Sequence, residues 1–200
     1  MKSIQEYKTL LVIFPPNFGG NHLVNLISTS PYVEKTKKDI GNYRDFLVSF
    51  YEKTCKTYHL CDVLYDFFCP EKVINAVANN TLTSVIPLHI DEAYFLTPFL
   101  KPLGNIGFIT FELFGVSTDF FKKSNRDHMN ISFHQFMYRK EIVEKILEIP
   151  DEDGAVIPAA DFLKDDISEI LSLLNNSLFL DLDLQFCSKL HTIRQKKLII

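Results

Sequence analysis

The chain is poor in cysteine, and its cysteines do not stand at metal-binding or redox spacing. Its 200 residues include four cysteines, and no two of them form a C-x-x-C pair. This excludes the common zinc-ribbon and thioredoxin patterns. The cysteines are Cys55, Cys61, Cys69 and Cys187. Such a count in a chain of this size is typical of reduced, mostly buried thiols.

Long apolar runs are also missing. No window approaches the roughly 18 apolar residues that a membrane-spanning helix needs. Residues 1–6 lack the apolar region of a secretory signal peptide. We therefore expect a cytoplasmic protein without a membrane span.

The chain has no excess of positive charge. Its formal net charge is −4, which argues against a general nucleic-acid binder, because such proteins present a basic face. A small basic cluster, RQKK, stands at residues 194–197. We interpret it as cations near a helix C-terminus, where they complement the helix dipole, rather than as a phosphate-binding group.

What the chain does contain is enough apolar material for one well-packed domain. Its apolar content is 46%, with 18 Phe and 8 Tyr, and its length suits a single domain over residues 1–200. Strands are predicted at residues 9–14, 83–89, 106–111 and 155–157, with helical patterns between them. This alternation predicts an α/β fold with a mainly parallel sheet. Pro87 places the second strand at the sheet edge or at a strand end.

Two C-terminal helices are predicted from apolar spacing. One covers residues 166–175 and ends at Asn175-Asn176, and the other covers residues 183–197. Pro98 is expected to kink or end a helix that starts near Asp91.

Residues 10–29 carry the clearest functional pattern. An apolar run, LLVIF, leads into PPNFGGNH, and a helical pattern follows. A glycine-bearing turn between a buried strand and a helix aims free backbone N–H groups and a positive helix end at one spot, which suits a phosphate or sulfate group. The loop is not a Walker A motif, because no Lys and no Ser or Thr follows the glycines.

The run FPPNFGGNHL at residues 14–23 resembles the 5′-phosphosulfate loop of the sulfotransferases. The resemblance implies a three-layer, P-loop-like α/β fold that binds 3′-phosphoadenosine 5′-phosphosulfate and moves its sulfuryl group to an acceptor hydroxyl without a metal. The loop residues that it assigns to the donor are Pro16, Asn17, Phe18, Gly19, Gly20, Asn21 and His22. Asn17 stands where the family has its charged Lys, so another cation is needed. The candidates are Arg126, Lys122, Lys123 and His22.

Two further segments are similar to small sulfotransferase-like proteins of phages and marine bacteria. Residues 180–183 and 190–191 resemble the C-terminal part of those proteins, and His89-Ile90-Asp91-Glu92 resembles their second strand end. The likeness makes His89 the candidate general base, with Glu92 as the alternative. The other readings are a structural histidine for His89 and a dipole-complementing carboxylate for Glu92.

Arg126 and Ser132 are similar in order to the family residues that hold the 3′-phosphate. An exposed arginine on a polar segment is the other interpretation of Arg126. His128 and His134 lie six residues apart, which does not fit a helical zinc pair.

Two other functions stay open. One is a non-catalytic binding or interaction module of the same shape, favoured by the absence of Lys at residue 17. The other is a phosphotransferase with a nonstandard loop, for which Asp91 and Glu92 are the local carboxylate pair. The sequence leaves the acceptor and the oligomeric state undetermined.

Overall fold

The fold is built on a sheet of four parallel strands. The structure is a computed structural model, and it describes residues 2–16, 18–35, 42–53, 70–116 and 131–198. The strands are β1 (Thr9–Ile13), β2 (Ser84–Leu88), β3 (Ile106–Glu112) and β4 (Gly154–Pro158), in the order β2-β1-β3-β4. This confirms the predicted α/β class and the parallel sheet.

Helices cover both faces of this sheet. They are α1 (Gly20–Ile27), α2 (Tyr43–Lys53), α3 (Pro70–Asn79), α4 (Ile90–Leu100), α5 (Ile131–Met137), α6 (Lys140–Leu147), α7 (Ala159–Phe162), α8 (Ser168–Leu178) and α9 (Leu184–Leu198). Short 3₁₀ turns lie at Ile4–Glu6, Lys101–Leu103 and Asp151–Asp153. The result is a three-layer arrangement.

Successive side chains of the strands pack alternately into two separate hydrophobic cores, one on each face of the sheet. In β1, Leu10 and Val12 belong to one core, and Leu11 and Ile13 belong to the other, as expected when successive side chains point to opposite faces. The first core is shared with α1, α2, α7, α8 and α9. The second core is shared with α3, α4 and α6. All four strands are therefore apolar runs without polar alternation, which is typical of parallel sheets.

The strand order creates a switch point at the carboxyl edge of the sheet. The chain passes from β2, on one side of β1, to β3 on the other side. In open α/β sheets, ligands bind outside the carboxyl ends of the strands where the order reverses. The loop between β1 and α1 lies at this position.

Pro87 lies where the sequence predicted, whereas Pro98 does not end its helix. Pro87 lies in β2, an edge strand of the sheet, where a missing N–H costs no ladder bond on the open side. Pro98 lies inside α4, which continues for two more residues to Leu100. It therefore does not end that helix.

The expected end of α8 is wrong. The helix runs past Asn175 and Asn176 to Leu178, and Phe179 then adopts a left-handed conformation with φ 53°. The Asn175 side chain is occupied elsewhere: its Oδ1 accepts the Leu182 N–H at 2.8 Å and its Nδ2 donates to the Leu182 carbonyl at 3.1 Å. Since the amide bonds a distant backbone and does not compete for its own, it does not stop the helix.

Within the described residues, none of the helices combines the length and the apolar character needed to cross a membrane. The same residues contain no group of three or more His, Cys, Asp or Glu side chains arranged for a metal ion.

Candidate functional site: the β1–α1 loop

Two glycines shape the loop between β1 and α1. Gly19 has φ 78°, a left-handed conformation that glycine adopts without steric cost. A Cβ atom at Gly20 would lie 1.9 Å from Phe14 Cδ1, so the helix start packs directly on that ring. Glycine is required at the two positions for different reasons. Gly19 adopts a left-handed backbone conformation, and Gly20 lies too close to the Phe14 ring to carry a side chain.

The start of α1 leaves backbone donors available. The Leu23 N–H donates to the Gly19 carbonyl at 2.9 Å, so the N–H groups of Gly20, Asn21 and His22 precede the first helical hydrogen bond. The Phe18 N–H instead donates to the Pro15 carbonyl at 3.3 Å. Three donors and the positive end of the helix dipole therefore point out of this end of α1.

Arg194 supplies a positive charge beside these donors. Its guanidinium lies against Gly19, since a Cβ atom at Gly19 would stand 2.8 Å from Arg194 Nη2. The residue is only 8% exposed. Arg194 Nη1 is buried and has no hydrogen-bond partner among the residues that the structure describes, and burial lowers the pKa of the guanidinium. Among the described residues, Arg194 makes no ion pair with a carboxylate.

The position of Arg194 corrects the interpretation of the C-terminal basic cluster. Arg194 is not a solvated cation of the last helical turn but part of the buried side of α9. It follows Cys187 and Leu190 at helical spacing, and both of those residues are fully buried. That spacing was the signal in the sequence: continuing the apolar stripe of α9 by one turn reaches Arg194.

The His22 side chain lies in the protein interior, against Tyr51 and His191. It is fully buried, with Nδ1 2.6 Å from Tyr51 Oη and Nε2 3.0 Å from His191 Nδ1. Burial and the nearby Arg194 hold the pKa of His22 well below its usual range. His22 therefore offers its backbone N–H at the loop, but its neutral ring does not replace the missing lysine charge.

The other predicted loop residues divide into core and surface positions. Phe18 is fully buried in the first core, and Pro16 is partly exposed. Asn21 Oδ1 is buried, and no described residue hydrogen-bonds to it. Asn17 lies outside the described residues, as do Lys122, Lys123 and Arg126.

His89 lies at the same edge of the sheet, directly after β2. Its Nδ1 is 2.7 Å from the Phe14 carbonyl, and its ring centroid is 5.1 Å from that of Phe14. The Phe14 ring thus contacts His89 and would clash with any side chain at Gly20. A carbonyl oxygen only accepts, so Nδ1 carries a hydrogen, and in the neutral tautomer Nε2 is then the acceptor.

Glu92 acts locally at the start of α4. Its Oε2 accepts the His89 N–H at 2.7 Å, an N-terminal capping interaction. Ser132 is exposed on α5, which leads into Tyr138 of the second core. α1 belongs to the first core, so Ser132 comes from the opposite layer of the fold.

Comparison with known proteins gives no match to this chain among family models, curated proteins or solved structures.

Proposed function

We propose that this chain is a sulfotransferase-like protein that binds 3′-phosphoadenosine 5′-phosphosulfate at the β1–α1 loop and transfers a sulfuryl group to an acceptor hydroxyl. The observation that carries the proposal is the buried guanidinium of Arg194 against Gly19. A buried cation without a counter-ion is unfavourable unless a ligand brings negative charge to it. An anion at this loop meets that need.

The backbone supports the same ligand class. The N–H groups of Gly20, Asn21 and His22 point toward the end of α1 where Arg194 lies. Helix N-termini favour phosphate and sulfate groups, and a guanidinium can donate two parallel hydrogen bonds to such a group. In this proposal Arg194 provides the charge that a lysine at residue 17 provides in the family.

His89 is the proposed proton acceptor. When bound, the donor supplies an activated sulfuryl group. The loop and Arg194 hold the donor's anionic end and neutralise charge there. The acceptor oxygen bonds to sulfur as the bond from sulfur to the 5′-phosphate oxygen breaks, adenosine 3′,5′-bisphosphate leaves, and His89 Nε2 takes the proton of the attacking hydroxyl. His89 is better suited than Glu92, because the Glu92 carboxylate already accepts the His89 N–H.

The test is a calorimetric titration with adenosine 3′,5′-bisphosphate, the nucleotide product of sulfuryl transfer. The native chain is expected to bind it in the micromolar range. Arg194→Met is expected to weaken binding by about 10-fold to 100-fold, as for a lost charged hydrogen bond. Arg139→Met is the matched control: Arg139 is exposed, so this variant makes the same charge change away from the loop.

The outcomes separate the candidate functions. Absence of binding by the well-folded native chain would overturn the proposal. If Arg194→Met and Arg139→Met weaken nucleotide binding equally, Arg194 has no specific role in the site. Urea unfolding shows whether Arg194→Met is folded. We expect that variant to be at least as stable as the native chain without ligand, because it no longer buries a charge.

Transfer is tested separately, with labelled donor and a panel of sugar and phenol acceptors. His89→Gln is expected to keep nucleotide binding and lose transfer. Nucleotide binding without transfer to any acceptor would favour the non-catalytic binding module. Binding of ATP only with magnesium would favour a phosphotransferase.

A further inference from the structure

A continuous chain of buried hydrogen bonds runs behind the anion-binding end of α1. It links Tyr51 on α2, His22 on α1, His191 on α9 and the Lys164 carbonyl after α7. The distances are 2.6 Å from Tyr51 Oη to His22 Nδ1, 3.0 Å from His22 Nε2 to His191 Nδ1, and 2.7 Å from His191 Nε2 to the Lys164 oxygen. The chain joins three helices of one layer.

The direction of every hydrogen bond in this chain follows from its last member. The Lys164 carbonyl can only accept, so His191 Nε2 carries a hydrogen and His191 Nδ1 is an acceptor. His22 Nε2–H therefore donates to His191, and the Tyr51 hydroxyl donates to His22 Nδ1. The Asn25 amide then donates to Tyr51 Oη at 3.1 Å. Both imidazoles are neutral in this arrangement.

Gln195 does not change this assignment. Its Nε2 lies 3.1 Å from His191 Nε2, but it also lies 3.2 Å from the carbonyls of Leu163 and Lys164. An amide nitrogen donates, so it serves those carbonyls, and the shorter 2.7 Å contact shows where the His191 hydrogen goes.

Arg194 is the main charge that faces the two imidazoles. Burial is the larger cause of the lowered pKa of both histidines, and Arg194, one turn after His191 on α9, acts in the same direction by disfavouring a proton on either ring. Asp165 and Asp166 act in the opposite direction on His191. The neutral partners from neighbouring elements are Tyr51 of α2 and Phe162 of α7.

We propose that the His22–His191 pair takes up a proton when an anion binds at the β1–α1 loop, so that anion affinity rises as the pH falls. This inference rests on the proposed anion site. A bound anion offsets the charge of Arg194, and that charge adds to burial in keeping the pair neutral. The added proton goes to His22 Nδ1. The hydrogen bond between His22 and Tyr51 then reverses: His22 Nδ1–H donates, and the Tyr51 oxygen accepts, as a hydroxyl can. Protonation of the two buried histidines is thereby coupled to anion binding at the β1–α1 loop.

The experiment is a calorimetric titration with inorganic sulfate, repeated in buffers of different ionisation enthalpy between about pH 5 and 8, where histidines change charge. Sulfate is chosen because it keeps its charge over this range, whereas a phosphate group itself titrates near pH 6. Any buffer-dependent heat therefore reports protons bound by the protein. Chloride holds the ionic strength constant.

We expect uptake of up to about one proton per bound sulfate and an affinity that rises by up to about 10-fold for each pH unit lowered. His22→Gln removes the ring that takes the proton but keeps the backbone N–H of residue 22, so it is expected to abolish the uptake and to keep sulfate binding at the upper end of the range. His134→Gln is the matched control, because it removes a partly exposed histidine of α5 that belongs neither to the hydrogen-bonded chain nor to the proposed site. This control is expected to retain the uptake.

A measurement on the native chain avoids dependence on a core substitution. The imidazole resonances of His22 and His191, followed by NMR against pH, are expected to titrate at higher pH with sulfate than with chloride. Sulfate binding without proton uptake would overturn the coupling and leave the proposed function standing. Failure of sulfate to bind at any pH would also overturn the coupling, and the adenosine 3′,5′-bisphosphate titration then decides the proposed function separately.

Discussion

Single residues decide the character of the loop, and Gly19 and Arg194 do so together. Gly19 has the left-handed backbone that lets the chain turn into α1, and its missing side chain leaves room for the Arg194 guanidinium. The sequence predicted an unusual turn at Gly19-Gly20. It did not predict a cation from the last helix, because the cluster at 194–197 has the composition of an ordinary helix end.

Alanine at Gly19 separates backbone strain from the contact with Arg194. Gly115 has nearly the same backbone angle, φ 80° against 78°, but a Cβ atom there would meet nothing within 4 Å. Gly115→Ala is expected to lower the free energy of unfolding by about 1–2 kcal/mol through strain alone. Gly19→Ala is expected to lower it further, because the new Cβ displaces Arg194, and to weaken adenosine 3′,5′-bisphosphate binding.

Urea unfolding and calorimetric titration of the two variants check this prediction. Equal stabilities, or unchanged nucleotide binding in Gly19→Ala, would show that Arg194 moves aside freely and is not held at the loop.

Among the helices and strands, apolar periodicity predicted most elements, while polar side chains decided several boundaries. The strand at 106–111 was found where expected. Asp183, expected as the first residue of the last helix, instead caps it by accepting the Phe186 N–H at 3.0 Å. The start of this helix depends on where the chain enters the first core. The spacing of apolar residues along the sequence does not specify that point.

Asn175 is expected to hold the connection between α8 and α9. Its amide bonds both backbone groups of Leu182, and Leu182 is buried. Asn175→Ala should lower the free energy of unfolding by about 1–3 kcal/mol, since it leaves those groups unsatisfied. Asn176→Ala is the control on the same helix: Asn176 is exposed, and its change should stay within about 0.5 kcal/mol. Similar losses in both variants, measured by urea unfolding, would contradict a specific role for Asn175.

At the scale of the whole molecule, the neutral histidine pair makes stability depend on pH. His22 and His191 have a lowered pKa in the folded chain, so below about pH 6.5 the unfolded chain binds protons that the folded chain does not. The free energy of unfolding therefore falls as the pH is lowered from about 7 to 5, by up to about 1.4 kcal/mol per pH unit for each histidine.

Urea unfolding in chloride buffers over this range measures the slope. His191→Gln is expected to flatten it, and added sulfate is expected to reduce it, because a bound anion favours the protonated pair. A free energy of unfolding that stays constant from about pH 7 to 5 would contradict buried neutral histidines.

The amino-acid sequence by itself determined the α/β class, the apolar strands and the glycine turn before α1, and it limited Pro87 to the sheet edge or a strand end. Each of these follows from local rules: apolar runs, helical spacing, and the restrictions of proline and glycine. Only the tertiary structure decided which charge meets the loop and which rings meet behind it. His22 and His191 are 169 residues apart in the chain, and Arg194 reaches Gly19 only because α9 packs beside α1. That packing depends on how the whole first core fills, and no local pattern specifies it.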